Sequence, residues 1–122
     1  MRVLIVEDEA LIAMHLEMIV TEIGHEVCAA AASAEEAIAE VAAHHPDVVL
    51  MDVQLANGSC GIDAAREIYR RHGIPCIFLS ANIDAAVKKA VLPYEPIDFV
   101  GKPILPILLQ RALEKAEERG RL

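Results

Sequence analysis

Four short stretches of this chain, "RVLIV" at 2–6, "DVVLM" at 47–51, "CIFLS" at 76–80 and "IDFVG" at 97–101, are apolar almost without interruption. A strand with one wet face alternates apolar and polar residues. A strand covered on both faces has no such need, so continuous runs of this length indicate a parallel sheet enclosed by helices. A weaker run, "HEVCAA" at 25–30, reads as an edge strand.

The segments between the runs carry the helical period. Ile12, Leu16, Ile19 and Ile23 recur at spacings of four, three and four, and Gly24 follows as a stop. Ser33 with Glu36 makes a capping box ahead of Ile38, Val41 and Ala42. Further helices are expected over 62–72, with Ile62, Ala65 and Ile68 inward, and over 84–91. The last is expected from Ile104 to about Glu118, with Leu105, Leu109, Ala112 and Ala116 on one stripe, and the charged tail beyond it frayed or leading elsewhere. Strand and helix thus alternate five times, and right-handed crossovers place the helices on both sides of one sheet. The expected fold is a doubly wound α/β domain spanning residues 1–122, since a chain of this length suits one core and one site.

Composition narrows the chemistry. The chain is 55% hydrophobic but only 3% aromatic, so the core must be built from aliphatic residues and Met. A formal net charge of -8 with no basic stripe argues against direct nucleic-acid binding, and no basic amphipathic helix is present for anionic lipid. No apolar run approaches the roughly 18 residues of a membrane span, no signal-peptide pattern opens the chain, and a cytoplasmic location is expected. Cys28, Cys60 and Cys76 show neither a C-x-x-C pair nor zinc-ligand spacing and are read as reduced thiols. The five histidines, including His44 and His45, have no evident ligand partner and are read as solvated or structural.

In open α/β sheets, sites form beyond the carboxyl ends of the strands. Here the first strand runs into Glu7 and Asp8, the third into Asp52, the fourth into Ser80, and the fifth is followed by Lys102 and Pro103. Singly these are ordinary residues, since Glu7 and Asp8 also suit a helix cap and Lys102 a surface. Together, three converging carboxylates repel unless a cation intervenes, and a hard divalent ion such as Mg²⁺ is the natural one. Lys102 supplies a mobile positive charge and Ser80 a hydroxyl donor, so the set reads as a phosphoryl site with Asp52 as nucleophile.

The order "LIVEDE", "DVVLMDVQL", "IFLSA" and "DFVGKP" resembles the receiver domain of two-component response regulators over essentially the whole chain. That resemblance implies a flavodoxin-like five-stranded sheet in the order 2-1-3-4-5. It implies Asp52 as acceptor from a phosphohistidine on a histidine kinase or histidine phosphotransferase, with Mg²⁺ held by Glu7, Asp8, Asp52 and the Gln54 backbone carbonyl. Ser80 matches the hydroxyl that reorients toward the phosphoryl group, Lys102 the family's lysine, and Pro103 its neighbour, usually joined by a cis peptide. Phe99 matches the switch aromatic, although burial alone also accounts for a Phe there. The side chains of Gln54 and Asn82 match the variable positions flanking the phosphoryl group. The implied readout face is the fourth helix, fifth strand and fifth helix, toward a downstream protein target that the sequence does not name.

Two segments depart from the family pattern. After Asp52 the loop "VQLANGSCGIDAA" has Ala56 where Pro is common, and is one residue longer before Gly61. Before the fifth strand, "AVLPYEPIDF" replaces a small pair with Pro93, Tyr94, Glu95 and Pro96, so a short or displaced fourth helix is expected. An exposed Tyr94 with Leu92, Ile104, Leu105, Ile107 and Leu108 would make a partner or homodimer surface, or simply cover the sheet edge. Two other functions stay open: a haloacid-dehalogenase-type phosphatase, disfavoured by Gln54 where a second Asp is needed, and a phosphorylation-independent interaction module. Otherwise the chain is expected to be a phosphoacceptor rather than an enzyme. Dinucleotide chemistry is disfavoured because no G-x-G-x-x-G follows the first strand.

Overall fold

The computed structural model describes residues 1–55 and 60–121. Its elements are β1 (Arg2–Val6), α1 (Ala10–Ile23), β2 (Glu26–Ala31), α2 (Ala34–His44), β3 (Val48–Asp52), α3 (Gly61–His72), β4 (Cys76–Ser80), α4 (Ala85–Val91), β5 (Asp98–Gly101) and α5 (Pro106–Gly120). All strand pairings are parallel, and the sheet order is β2-β1-β3-β4-β5. This is the flavodoxin-like α/β fold read from the sequence.

The continuous apolar runs have the predicted consequence. Every residue of β3 and β4 is buried, Asp52 and Ser80 included. Alternate residues serve opposite faces: Val3, Ile5, Val48 and Leu50 pack with Leu16, Val20, Leu109 and Leu113 of α1 and α5, whereas Leu4, Val6, Val49 and Met51 pack with Val41, Ala65, Ile68 and Val91 of α2, α3 and α4. β2, at the edge, is only half-buried.

Local signals set the helix ends. Gly24 adopts φ 104°, a left-handed C-cap whose N–H bonds the last turn of α1. At α2 the Ser33 hydroxyl accepts from the Glu36 N–H at 3.2 Å as in a capping box, while the Glu36 carboxylate reaches back to the Ala32 N–H at 2.9 Å, one residue before the cap. α5 continues to Gly120, so the charged tail stays helical past Glu118.

Three expectations need correction. Leu105 lies outside the buried stripe of α5: it is the N-cap residue and 54% exposed, because Pro106 begins the helix one residue later. Ala42 is exposed, so α2 buries Ala37 and Val41 instead. Tyr94 is not exposed. α4 is short, as Pro93 requires, and passes into a 3-10 turn, Leu92–Tyr94, that turns the Tyr94 ring inward against the α2–α3–α4 core and beside Tyr69. Glu95, at φ 48°, is held there by a hydrogen bond from the Tyr69 hydroxyl, 2.6 Å, and by Arg119, which donates to the Glu95 and Pro96 carbonyls. Of the remaining apolar group, Ile104 is buried, and Leu92, Leu105, Ile107 and Leu108 are exposed.

Candidate functional site

β1 is the point at which the strand order reverses, with β2 on one side and β3 on the other. The chain therefore leaves β1 in one direction and returns on the other side, and a crevice opens where the connections diverge, above the carboxyl ends of β1 and β3. Glu7, Asp8 and Asp52 meet there, each offering an oxygen, with the three oxygens within 4.8 Å of one another. Asp8 and Asp52 line a cleft of about 370 Å³ together with Gln54, Ser80 and Lys102.

Burial makes the cluster energetically demanding. The Glu7 side chain has no exposed surface and that of Asp52 only 4%. Lys102 compensates for both, its Nζ lying 2.7 Å from Glu7 Oε1 and 3.0 Å from Asp52 Oδ2. The Glu7 contact is a close ion pair without hydrogen-bond geometry, so Oε1 remains a buried carboxylate oxygen lacking a hydrogen bond. Burial acts against the Lys102 ammonium, but its contacts with Glu7 and Asp52 outweigh that and raise its pKa above the ordinary lysine value. The lysine thus remains charged throughout the neutral range.

Each carboxylate is also oriented by backbone. Glu7 Oε2 accepts from the Glu9 N–H at 3.1 Å, at the start of α1, so the acid does serve the helix end. Asp52 Oδ1 accepts from the Gln54 N–H at 3.1 Å. Asp8 is exposed at the mouth. The donor set is all hard oxygen, with one buried oxygen lacking a hydrogen bond, and this fits a divalent cation of the Mg²⁺ type.

Ser80 is buried at the end of β4, where its hydroxyl donates to the Asn82 carbonyl and accepts from the Asn82 N–H, both at 3.1 Å. The described hydrogen bonds of this hydroxyl thus run to its own loop rather than to Asp52. Phe99 is half-buried, stacked on Phe78 at 5.8 Å between ring centres, with the Lys88 ammonium of α4 5.7 Å above its ring. The Lys102–Pro103 peptide is cis. Ala56 and the extra length in the β3–α3 loop fall at 56–59, outside the described residues.

Gly61 is a site-shaping residue that sequence reading missed. A Cβ there would lie 1.9 Å from the Asp52 carbonyl oxygen, because the first turn of α3 is pressed against the Asp52 backbone and the Gly61 N–H bonds the Val53 carbonyl. The obstacle is backbone and cannot swing aside. Gly61→Ala is expected to destabilise the fold by about 2–3 kcal/mol, read as a lower urea midpoint. An unchanged midpoint would contradict the close approach. The sequence signal was available, as a glycine just inside a helix start, but its cause is a contact nine residues away.

A groove of about 450 Å³ along the exposed face of α1, lined by Met14, Glu17, Met18, Thr21 and Glu22, gathers a poorer set of polar groups. Cys76 is fully buried and its thiol is pushed up to about 12 by desolvation, which makes it unreactive.

A family model for the response regulator receiver domain matches residues 3–114. The chain is 35% identical over 116 residues to the phyllosphere-induced regulator PhyR of Methylorubrum extorquens, covering 93% of this chain and 42% of that protein. It is 34% identical over 118 residues to the chemotaxis protein CheY of Thermotoga maritima, covering 96% of this chain and 98% of that one. The crystal structure of the response regulator PhyR from Brucella abortus superposes with a TM-score of 0.83 at 39% identity, covering 98% of this chain and 50% of that chain. The chain thus spans at most half the length of these two PhyR proteins and nearly all of the CheY.

Proposed function

Because this chain belongs to the response regulator receiver domain family, we propose that it is a phosphorylation-switched signalling module whose acceptor is Asp52. The observation that carries this is the placement of Asp52 on the floor of the cleft, buried, oriented by the Gln54 N–H and 3.0 Å from the Lys102 ammonium. A carboxylate so held presents an oxygen to the opening, as a nucleophile must.

The donor is a phosphohistidine on a histidine kinase or histidine phosphotransferase. An Asp52 oxygen forms the new O–P bond as the N–P bond breaks, and the electron pair stays on the leaving imidazole, so this chain supplies no proton. Glu7, Asp8, Asp52 and the Gln54 carbonyl are the residues that would hold Mg²⁺, which when bound neutralises phosphoryl charge. Lys102 then turns from Asp52 toward a phosphoryl oxygen. Ser80 exchanges its bonds with Asn82 for one to the same group and draws the β4–α4 loop with it. Phe99, between Phe78 and Lys88, moves with that loop, and the α4–β5–α5 face presents the change to a protein target or a second copy. The side chains of Gln54 and Asn82 flank the phosphoryl group and are amides, poor general bases, so rapid self-dephosphorylation is not part of the reading. The chain acts as one receiver unit over 1–122, in the cytoplasm, where free thiols at Cys28, Cys60 and Cys76 are at home. Among the described residues no helix is long and apolar enough to cross a membrane.

The test is incubation with acetyl phosphate and Mg²⁺, followed by intact mass. The expected result is a labile gain of one phosphoryl group that a chelator prevents. Absence of any gain, both from acetyl phosphate and from phosphorylated histidine phosphotransferases, would overturn the proposal in favour of a phosphorylation-independent interaction module.

A further inference from the structure

The histidines give no ligand pattern in sequence, but the fold brings two of them together. His45 is the C-cap of α2, and His72 closes the last turn of α3. α2 and α3 lie side by side, so their carboxyl ends converge, and the two imidazoles meet edge to face with ring centres 5.9 Å apart. Each precedes the start of a strand, so the pair lies at the end of the sheet opposite the acidic cleft.

We propose that His45 and His72 form a second metal site, for a borderline divalent ion such as Zn²⁺, Ni²⁺ or Cu²⁺, with water in the remaining positions. An imidazole nitrogen holds Zn²⁺ at roughly 2.0–2.1 Å, which lets two rings on one ion sit about 5–6 Å apart centre to centre. The observed spacing meets that requirement. Both residues are exposed, and among the described residues neither ring has a hydrogen-bond or ion-pair partner, so each is free to turn a nitrogen toward a shared ion. The carboxyl end of α3 brings partial negative charge that favours a cation, whereas that of α2 is already met by the Arg2 guanidinium. Of the neighbouring positive groups, Arg2 and Arg71 are engaged, and Arg70 in the last turn of α3 is the third. Arg2 donates to the His44 and His45 carbonyls and pairs with Glu26, and Arg71 pairs with Glu67. His44 is bonded to Glu40 at 3.1 Å, which leaves His45 and His72 as the ligands.

Imidazole nitrogens prefer borderline ions and hard carboxylate oxygens prefer Mg²⁺, so the two ends of the sheet select different metals. The pair would clamp α2 to α3 without touching the cleft.

The decisive experiment is a Zn²⁺ titration of the full chain in excess Mg²⁺ with the ring nitrogens followed by NMR. His45 and His72 are expected to shift together with one half-saturation point. In His72→Gln the His45 response should need roughly tenfold to a hundredfold more Zn²⁺, because chelation by two placed groups exceeds binding to either alone. His45→Asn, chosen because Asn tolerates the left-handed conformation at φ 47°, should weaken the His72 response equally. Rings that respond at different Zn²⁺ concentrations, single variants that leave the other ring's titration unchanged, or no response at either ring would overturn the proposal. None of these outcomes depends on whether Asp52 is phosphorylated.

Discussion

Asp52→Asn is expected to abolish phosphoryl uptake while the protein stays folded. The amide is nearly isosteric, but it carries no charge and its oxygen is a poor nucleophile, so the O–P bond has no donor of electrons. The structural penalty is limited. Asp52 accepts one hydrogen bond from the Gln54 N–H and one from Lys102. An asparagine oxygen keeps one of these, and its NH₂ must face the other donor, a loss of about 1 kcal/mol. Relief of repulsion with Glu7 and Asp8 offsets part of that. Urea midpoints should therefore differ little, while Mg²⁺ affinity falls because one of three anionic oxygens is gone. Mass spectrometry after acetyl phosphate treatment gives the main readout, and stoichiometric label on the Asn variant would place the acceptor elsewhere.

Lys102→Met should have the larger effect on stability, and one that depends on metal. Removing the ammonium leaves two buried carboxylates without their cation, and breaking a buried pair from one side typically costs about 3–5 kcal/mol. That loss is expected in chelator. Added Mg²⁺ should restore much of it, since an ion that binds only the folded state stabilises by mass action. The same variant should bind Mg²⁺ more tightly than wild type, because the ammonium no longer repels the ion, while partner binding no longer responds to phosphorylation. The raised pKa of Lys102 keeps its stabilisation intact through neutral pH, and it is lost only as pH climbs through that raised value. Equal losses with and without Mg²⁺ would mean that Lys102 acts through packing alone.

The sequence by itself determined the sheet and the identity of the acids at its edge. Unbroken apolar runs such as "VVLM" can be buried on two faces only in a helix-covered parallel sheet, and Asp52 directly after that run has to stand at a strand end. Gly24 and the Ser33–Glu36 box were legible for the same reason: their chemistry is completed within a few residues. What the tertiary structure decided was every contact made across the chain. The path of Tyr94 could not be read, because its burial depends on Tyr69 and on Arg119 holding the turn around Glu95. Gly61 has no local signal for its close approach to the Asp52 carbonyl, and His45 and His72 meet only because α2 and α3 pack side by side. Local sequence encodes period, caps and strand ends because those are settled by neighbours along the chain. Distances between residues far apart in sequence are set by packing, and packing is a property of the folded whole.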